Sequence, residues 1–404
     1  MNVLFLTVAE IQAISSRGIY TDLLREFRDR GDHVCVVCPS ERRHGRPTTL
    51  SVEDGITVLR VRTGNITKTH LVEKVISTIL IENQFISAIK SLPSSTRFDL
   101  VLYSSPPVTF DRVVDYVRRR DRCKSYLLLK DIFPQNAVDL GMMSKGGLPW
   151  RYFRSREKRL YSVSDYIGCM SQANVRHLLA NNIEVPSNRV EECANSIKPL
   201  PVQHFRDTTL GVRDELGIPQ GSMLLVYGGN LGKPQGLGFL LDIMDRAKDM
   251  DRLFFLIVGS GTEYPRIEAH LRAGQHRNVR LMKMLPKDKY DALLGDCDVG
   301  LIFLDPRFTI PNFPSRLTAY MEASIPVLAA TDANTDLRDV LLESGSGLWV
   351  ENGDVNGFMS AVEYLLSHEE LRREMGRKGR EYLEEYYSVA KSYETITAHV
   401  KSPF

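Results

Sequence analysis

The sequence predicts an α/β protein of two Rossmann-like, doubly wound domains followed by a helical tail. At 404 residues the chain is longer than one compact core usually allows, so two domains are expected. Short apolar strands alternate with amphipathic helices from the first residues on, which is the order of βαβ units in a parallel sheet. The same alternation restarts after residue 205, following a polar stretch.

Each predicted element follows from its apolar pattern, because strands read as short apolar runs and helices carry one apolar face. In the first half, strands are predicted over 3–8, 33–38, 55–61, 99–103, 125–129, 166–170 and 190–193, and helices over 19–30, 68–92, 110–120 and 151–161. In the second half, strands are predicted over 222–227, 253–258, 279–284, 298–303, 326–330 and 348–350, and helices over 236–248, 264–273 and 367–400. We therefore expect domains at 1–205 and 206–385, and a tail at 386–404 that packs back on the N-terminal domain.

The composition narrows the class of protein. Charged residues make up 25% of the chain and hydrophobic residues 43%, which is typical of a globular protein in water. The formal charge is only +2, and no nucleic-acid partner is expected. Basic residues outnumber acidic ones by 29 to 21 through residue 205, which is compatible with an anionic lipid partner or with solvated charge. No signal peptide and no apolar run of about 20 residues is present, so a cytoplasmic location is expected.

Neither the cysteines nor the acidic triplets predict a metal or redox site. Cys35 and Cys38 form a CxxC within one strand, where an offset of three points to opposite faces. The triplets at 249–251 and 296–298 lie at element boundaries, where acidic residues face water. We expect no metal and no cofactor.

A glycine-rich turn follows the first strand of the second half, in the order YGGNLGKPQG from 227 to 236. Gly229 and Gly232 would let backbone N–H groups approach an anion, and Lys233 would add a positive charge. The spacing matches neither the P-loop nor GxGxxG. A tight strand-to-helix turn without a ligand explains the pattern equally well.

A second anion site is predicted near residue 315. The order loop, helix and buried strand runs through 310–330, with Asn312 or Ser315 as a possible helix cap. Arg316 lies in the first helical turn, where free N–H groups favour an anion rather than a cation. A phosphate between the helix and Arg316 would explain this, as would an ordinary capped helix with a solvated arginine.

Polar residues also follow several other predicted strands, where ligands bind in open α/β sheets. Asp131 could act as a general acid or base, or as a helix cap or ion-pair partner. Residues 194–196, with Asn195 at the centre, lie at another strand end. Residues 282–286 could form the wall of a base pocket.

The predicted helix at 151–161 is strongly basic and carries aromatic residues between its charges. Such a face can bind anionic lipid with its aromatics at the headgroup level. A solvated helix whose aromatics belong to the core is the alternative.

Several of these motifs together resemble family-4 glycosyltransferases of the GT-B fold. The resembling segments are GDHVCVVCP, MSQANVRHL, ECANSIKP, YGGNLGKPQGL, VGSGTEYPRIE and FPSRLTAYMEASIPVLAATD. They occur in the family's order and run nearly end to end. Within the family, the chain is most similar to bacterial enzymes that build O-antigen and capsule repeat units.

The resemblance implies a nucleotide-sugar site on the second domain. It would place the diphosphate of a UDP-sugar at Gly229, Asn230, Gly232, Lys233, Ser315 and Arg316, and the base at Leu285. It would also place Asn195 and Asp131 of the first domain toward the sugar, and Arg17 and Gly18 near the acceptor or phosphates. Asp131, Lys233 and Arg316 are the expected catalytic residues.

The chain departs from the family pattern at two motifs. Asn230 and Gln235 stand where the family has an arginine and a lysine, and Lys233 with Arg316 could supply that charge instead. Pro311 and Ala319 stand where the family has the two glutamates of its E-x7-E motif. Glu322, one turn further on, could hold the ribose hydroxyls.

The resemblance implies a retaining, metal-independent glycosyltransferase. It would move a sugar, such as an N-acetylhexosamine, from a UDP-sugar to a lipid-linked saccharide in surface polysaccharide synthesis. It would work in the cytoplasm, with peripheral contact to the anionic inner face of the membrane. The alternatives are a sugar-nucleotide 2-epimerase of the same fold and a non-catalytic partner subunit.

Overall fold

The computed structural model describes residues 1–66, 69–93, 95–207, 211–219 and 221–400. The chain divides into two compact units. The first comprises Met1–Lys198 together with the residues from Val389 on, and the second comprises Pro199–Ser388. The last predicted tail residues, 401–404, lie outside the described part.

The first unit contains an eight-stranded sheet in the order β3-β4-β2-β1-β5-β6-β7-β8. Its strands are β1 (Asn2–Leu6), β2 (His33–Glu41), β3 (Thr49–Glu53), β4 (Ile56–Thr63), β5 (Leu100–Ser105), β6 (Lys124–Leu129), β7 (Tyr166–Cys169) and β8 (Val190–Glu192). Its helices are α1 (Ile19–Asp29), α2 (Leu71–Lys90), α3 (Asp111–Asp121), α4 (Gln135–Asp139), α5 (Leu148–Val163), α6 (Gln172–Asn181) and, from the end of the chain, α16 (Val389–Ala398). The predicted start of α2 at residue 68 falls outside the described residues.

The predicted parallel sheet is confirmed by the strand pairing. β1 pairs in parallel with β2 and with β5, so that Phe5 lies between Val36 and Leu102. Such central strands are covered on both faces, which is why they read as continuous apolar runs. The sequence did not predict β3, an antiparallel edge strand joined to β4 by a turn at Asp54 and Gly55, because its side chains are mostly exposed and polar.

The two cysteines of the CxxC face opposite sides of the sheet, as predicted. Cys35 belongs to one apolar cluster of the first unit and Cys38 to the other. Burial raises the pKa of Cys35 to about 12 and that of Cys38 to about 11. Both thiols therefore stay protonated near neutral pH and act as small apolar groups.

The second unit contains a six-stranded parallel sheet in the order β11-β10-β9-β12-β13-β14. Its strands are β9 (Met223–Asn230), β10 (Leu253–Ser260), β11 (Val279–Lys283), β12 (Val299–Phe303), β13 (Val327–Thr331) and β14 (Gly347–Glu351). Its helices are α7 (Val202–Asp207), α8 (Val212–Glu215), α9 (Gly238–Arg246), α10 (Tyr264–Gly274), α11 (Lys287–Leu294), α12 (Arg316–Glu322), α13 (Leu337–Ser344), α14 (Val355–Ser367) and α15 (Glu369–Tyr386). None of the helices in the described ranges is both long and apolar enough to cross a bilayer.

The C-terminal helix α16 packs on α1 of the first unit. The Tyr393 hydroxyl donates to Asp32 Oδ2 at 2.9 Å, and the Ser392 hydroxyl donates to Ser196 Oγ at 2.7 Å. The ring of His399 stacks on Tyr166 with centroids 3.9 Å apart. These contacts fix the end of the chain to the sheet that contains its beginning.

Most basic residues of helix α5 form ion pairs with acidic residues of the first unit. Arg156 lies 2.6 Å from both Glu82 and Asp111, two buried carboxylates, and Arg159 lies 2.9 Å from Asp111. Burial raises the pKa of Glu82 to about 7. Arg154 and Lys158 pair with Glu157 and Glu184. Most of the predicted lipid-binding charge is therefore neutralised by the protein itself.

Replacing Arg156 with methionine is expected to destabilise the fold by about 3–5 kcal/mol, because it leaves the buried Glu82 without its cation and reduces the pairing of buried Asp111 to the exposed Arg159. The deficit should shrink from pH 8 toward pH 5. Raised carboxyl pKa values mean that the folded variant binds more protons than the unfolded chain, so its stability falls as pH rises. Urea unfolding of Arg156→Met at several pH values measures this.

The matched control is Arg151→Met on the exposed face of the same helix, for which a change within about 0.5 kcal/mol is expected. Equal stability of the two variants at pH 8 would show that the buried ion pairs do not stabilise the fold.

Candidate functional site

The turn at the end of β9 needs glycines because neighbouring side-chain and backbone atoms pack closely against its backbone. A Cβ on Gly228 would lie 1.8 Å from the Tyr290 hydroxyl, and one on Gly259 would lie 2.0 Å from the carbonyl oxygen of Gly229. Gly229 itself has a φ of 117°, which side-chain-bearing residues avoid. The glycines therefore let neighbouring atoms pack closely against the turn, which lies at the carboxyl edge of the sheet, where ligands bind in open α/β sheets.

Arg316, the first residue of α12, lies against this turn. Its guanidinium carbon is 4.2 Å from the ring centroid of Tyr227, and its Nη2 donates to Gln235 Oε1 at 2.5 Å. The same Nη2 is 3.9 Å from the position that a Cβ on Gly229 would occupy. The structure thus brings together the two anion sites that the sequence analysis predicted separately.

One donor of Arg316 is buried without a partner. Nη1 is shielded from solvent and has no hydrogen-bond acceptor among the described residues. Leaving a buried charged donor unsatisfied costs about 1–3 kcal/mol or more. An anion bound at the turn would remove that cost, so the arrangement favours a negatively charged ligand.

Three tyrosines, Tyr227, Tyr290 and Tyr320, lie close enough to the guanidinium to interact with its charge. Burial raises the pKa of Tyr227, that of Tyr290 and that of Tyr320, the last to about 12, so all three stay neutral. The Tyr227 hydroxyl is 3.0 Å from the Asn230 carbonyl oxygen and 3.3 Å from Gln235 Oε1, and can donate to either. The tyrosines leave the positive charge of Arg316 uncompensated at the turn.

Other predicted residues of this site lie nearby in sequence but at the surface. Asn230, Lys233 and Ser315 are exposed. Ser315, one of the two residues predicted as a cap, occupies the N-cap position of α12, but its side chain makes no capping hydrogen bond. Gly232 lies next to Asn230, whose side-chain atoms come within 3.1 Å of its Cβ position.

Leu285 is half-buried just after β11, and the Ser260 hydroxyl, at the end of β10, is 3.9 Å from the sulfur of the neighbouring Met284. The ends of β10 and β11 therefore lie side by side next to the turn, as a base pocket would require.

Glu322 lies at the other end of α12 and is engaged there. Its side chain is buried, and Oε1 accepts a hydrogen bond from the Leu200 backbone N–H at 2.8 Å. Its backbone carbonyl accepts from Arg380 Nη1 at 3.0 Å. These contacts favour a structural role for Glu322, the connection of α12 to the start of the unit, over the predicted contact with ribose.

In the first unit, Asp131 follows β6 at the carboxyl edge of the sheet. Asn136 donates to its Oδ1 at 2.7 Å. Burial raises the pKa of Asp131 to about 6, against the opposing effect of hydrogen bonds from Asn136 and Ile132. A carboxyl group with this pKa can be either protonated or ionised near neutral pH, as a general acid or base requires.

Lys130, the residue before Asp131, lines a small cavity of the same unit together with Asn195. The cavity measures about 10 Å³, enough for roughly one water molecule. Burial lowers the pKa of Lys130 to about 8. Asn195 is 8% exposed, and its Oδ1 has no donor among the described residues. The cavity therefore offers a cation and an acceptor to a hydroxyl group.

Arg17 and Gly18 lie at the start of α1 in the same unit. Arg17 Nη2 donates to the Lys198 carbonyl oxygen at 3.5 Å, and the Gly18 N–H donates to Asp22 Oδ1 at 3.2 Å. Both contacts order the loop before α1, and its predicted role near the acceptor or phosphates remains a prediction.

Three residues near the candidate sites were not predicted from the sequence as site residues: Gln235, Tyr227 and Lys130. Gln235 appeared only as a departure from the family pattern. Its contact with Arg316 joins positions 81 residues apart, and no local pattern reveals such a pair. Lys130 carried a signal, because it immediately precedes Asp131 at a strand end.

Comparison with known proteins shows what the two units resemble. Residues 211–382 match the family described as "Glycosyl transferases group 1". The probable glycosyltransferase WbjE of Pseudomonas aeruginosa is 23% identical over 323 residues, 78% of each chain. The putative colanic acid biosynthesis glycosyl transferase WcaI of Escherichia coli (strain K12) is 29% identical over 187 residues, 44% of each.

Solved structures match over the whole chain. Sucrose-phosphate synthase (tll1590) from Thermosynechococcus elongatus has a TM-score of 0.77 at 18% identity and 98% coverage of both chains. Anabaena Alr3699/HepE, solved in complex with UDP-glucose, has a TM-score of 0.69 at 12% identity and 100% coverage of both. The predicted GT-B fold is thereby confirmed.

Replacing Arg316 with alanine is expected to weaken UDP binding by about 10- to 100-fold, the loss of about 1.5–3 kcal/mol for a charge-assisted hydrogen bond. Gln235→Ala should weaken UDP binding by a smaller factor, because the Arg316 guanidinium remains but loses the hydrogen bond that orients it. Isothermal calorimetry with a chelator present measures both affinities.

Arg272→Ala serves as the matched control, since Arg272 is an exposed arginine of the same unit that pairs with Glu268 on α10. Its UDP affinity should equal that of the unmodified protein. Unchanged affinity in Arg316→Ala would remove Arg316 from the binding site.

Proposed function

Because this chain is a glycosyltransferase with a group 1 domain and the GT-B fold, we propose that it transfers a sugar from a UDP-sugar to a lipid-linked saccharide. We propose further that the transfer retains the anomeric configuration, needs no metal and serves bacterial surface polysaccharide synthesis. The observation that carries the proposal is the buried Nη1 of Arg316, which has no acceptor among the described residues and lies beside the glycine turn. It favours an anion such as the diphosphate of the donor.

The proposed chemistry depends on stabilising the leaving diphosphate. As the bond between the anomeric carbon and the diphosphate breaks, negative charge grows on the phosphate oxygens. The Arg316 guanidinium and the backbone N–H groups of the turn would stabilise that charge without reorganising. Lys233 is exposed on the same turn and could add a second cation. Oriented donors of this kind can replace a metal ion in this role.

The donor nucleotide is proposed from two supports. Anabaena Alr3699/HepE, which shares the fold, was solved in complex with UDP-glucose. In this chain, the ends of β10 and β11 near Leu285 lie beside the turn, which suits a base next to a diphosphate. The transferred sugar is proposed to be an N-acetylhexosamine, by resemblance to enzymes of O-antigen and capsule synthesis.

The first unit is proposed to handle the sugar and the acceptor. Burial raises the pKa of Asp131, which follows β6, to about 6, and Lys130 and Asn195 line a small cavity of the same unit. These three groups can accept and donate hydrogen bonds to hydroxyl groups. Asp131 is proposed as the group closest to the transferred sugar.

The lipid-linked acceptor is proposed from the relative WcaI, whose name refers to colanic acid biosynthesis, and from apolar side chains that the first unit exposes. On α2, Ile76, Ile79 and Leu80 are 44–52% exposed, and on α5, Leu148 is 82% exposed. Exposed apolar residues on neighbouring helices suit a membrane surface better than water. The proposed location is the cytoplasmic face of the membrane.

The transferase proposal is tested by incubating the protein with a lipid-linked saccharide fraction and UDP-sugars, including UDP-N-acetylglucosamine, UDP-N-acetylgalactosamine and UDP-glucose. UDP release is measured with a chelator present and compared with release in the absence of the lipid fraction. One UDP-sugar is expected to be turned over and the others left largely intact. Asp131→Asn should lower turnover at least about 10-fold. Its UDP affinity should be unchanged, because Asp131 is proposed to act on the sugar and not on the nucleotide.

Turnover of GDP-sugars or dTDP-sugars alone would support the transferase activity but show that the donor nucleotide is not UDP. Conversion of the free UDP-sugar to its 2-epimer would indicate the epimerase instead. Binding of no nucleotide at all would favour a non-catalytic partner subunit.

Flotation with liposomes tests the membrane contact. Recovery with anionic liposomes is expected to fall when Ile79 and Leu80 are both replaced by serine, because the apolar contact is lost. Leu342→Ser, at a residue 67% exposed in the second unit, should leave recovery unchanged. Equal recovery with and without lipid for the unmodified protein would exclude the contact.

A further inference from the structure

Two histidines and an aspartate converge on the helical layer of the second unit. Asp245 lies in the last turn of α9, His270 lies in α10, and His276 follows two residues after α10 ends. Asp245 Oδ1 is 2.9 Å from His270 Nε2 and 2.7 Å from His276 Nε2. The three ligand atoms all lie within 4.8 Å of one another. No residue of the proposed transferase site belongs to this group.

The position of the group separates it from the sugar-nucleotide chemistry. α9 and α10 each follow a strand of the parallel sheet and run back toward its amino edge. The group lies at their carboxyl-terminal ends, whereas the glycine turn lies at the carboxyl edge of the sheet. A ligand here would therefore act on the fold of the unit, not on the transferred sugar.

Local geometry holds the His276 ring in place. Gln275 ends α10 with a φ of 51°, and a Cβ on Gly274 would lie 2.1 Å from Cε1 of His276. The His276 side chain is fully buried, while those of His270 and Asp245 are 29% and 51% exposed. The group thus has a fixed inner ligand and two outer ligands that are open to solvent.

We propose that Asp245, His270 and His276 form a binding site for a divalent transition metal ion, with Zn²⁺ as the best match. Two imidazole nitrogens and a carboxylate oxygen form a donor set that zinc uses, with water in the fourth position. Zn–N bonds of about 2.0–2.1 Å in tetrahedral geometry place the two ring centroids about 5 Å apart. The observed separation is 5.3 Å.

Binding would require the ion to replace the hydrogen bonds that now join the three side chains. Each imidazole would bind the ion through its Nε2 lone pair with its proton on Nδ1. A neutral ring that carries its proton on Nε2 would therefore change tautomer by exchange with solvent, and a doubly protonated ring would release one proton. Asp245 Oδ1 would move a few tenths of an ångström away from each nitrogen, because ligand atoms on a tetrahedral zinc lie about 3.3 Å apart, and the solvent-accessible Asp245 and His270 can make this shift. The ion would then tie the end of α9 to the end of α10.

The test uses the full chain with no affinity tag, since a histidine tag binds the same metals. Zn²⁺ is titrated in competition with a chromophoric chelator at pH 7.5, and the melting temperature is measured with and without Zn²⁺. One equivalent of Zn²⁺ is expected to bind, and the melting temperature is expected to rise because the ion binds the folded state. Removing the ion with a chelator should reverse the shift.

Asp245→Asn and His270→Ala change the two solvent-accessible ligands, so both should fold. Each is expected to weaken Zn²⁺ binding by about tenfold or more and to abolish the thermal shift. His368→Ala is the matched control, because His368 is an exposed histidine of the same unit whose ring contacts Tyr364. This variant should bind Zn²⁺ as the unmodified protein does. Failure of the unmodified protein to bind one equivalent, or equal binding in both ligand variants, would overturn the proposal.

Discussion

The site depends on one buried guanidinium, that of Arg316, and on what surrounds it. Tyr227 covers its face, Gln235 accepts from one of its nitrogens, and the other nitrogen has no acceptor among the described residues. A charge in that position is unfavourable unless an anion arrives, so the protein maintains a site that is completed by its ligand. Because the surrounding groups are neutral tyrosines and an amide, none of them competes with the ligand for the charge.

The strands of the second sheet create this position. The parallel pairing of β9 with β10 and β12 brings the glycine turn to the carboxyl edge, and glycines at 228, 229 and 259 leave room for neighbouring side chains and backbone. β12 then leads through a loop into α12, whose first residue is Arg316. The family's usual arginine and lysine are absent, and the structure places a different arginine against the residue that stands in the lysine's position.

Much of the fold could be predicted from sequence, because buried parallel strands leave continuous apolar runs that are recognisable without any partner. The edge strand β3 and the helices α4, α7, α8, α11, α13 and α14 were not predicted. β3, α4, α7 and α8 are too short to show a clear period, whereas α14 does carry apolar residues at helical spacing and was overlooked. The candidate site was predictable in its parts, the glycine turn and Arg316, but not in their contact. The ion pairs formed by the basic residues of α5 could not be predicted either, because their partners are also distant in sequence. Glu82 and Asp111, which pair with Arg156, lie 74 and 45 residues before it, and long-range ion pairs leave no local signal.

The most direct test of the account is a crystal structure of the protein with UDP. The diphosphate is expected to lie on the glycine turn, with Arg316 Nη1 within about 3 Å of a phosphate oxygen and Gln235 still bound to Nη2. A diphosphate bound elsewhere, with Nη1 still lacking an acceptor, would contradict the assignment of Arg316 as the group that stabilises the leaving phosphate.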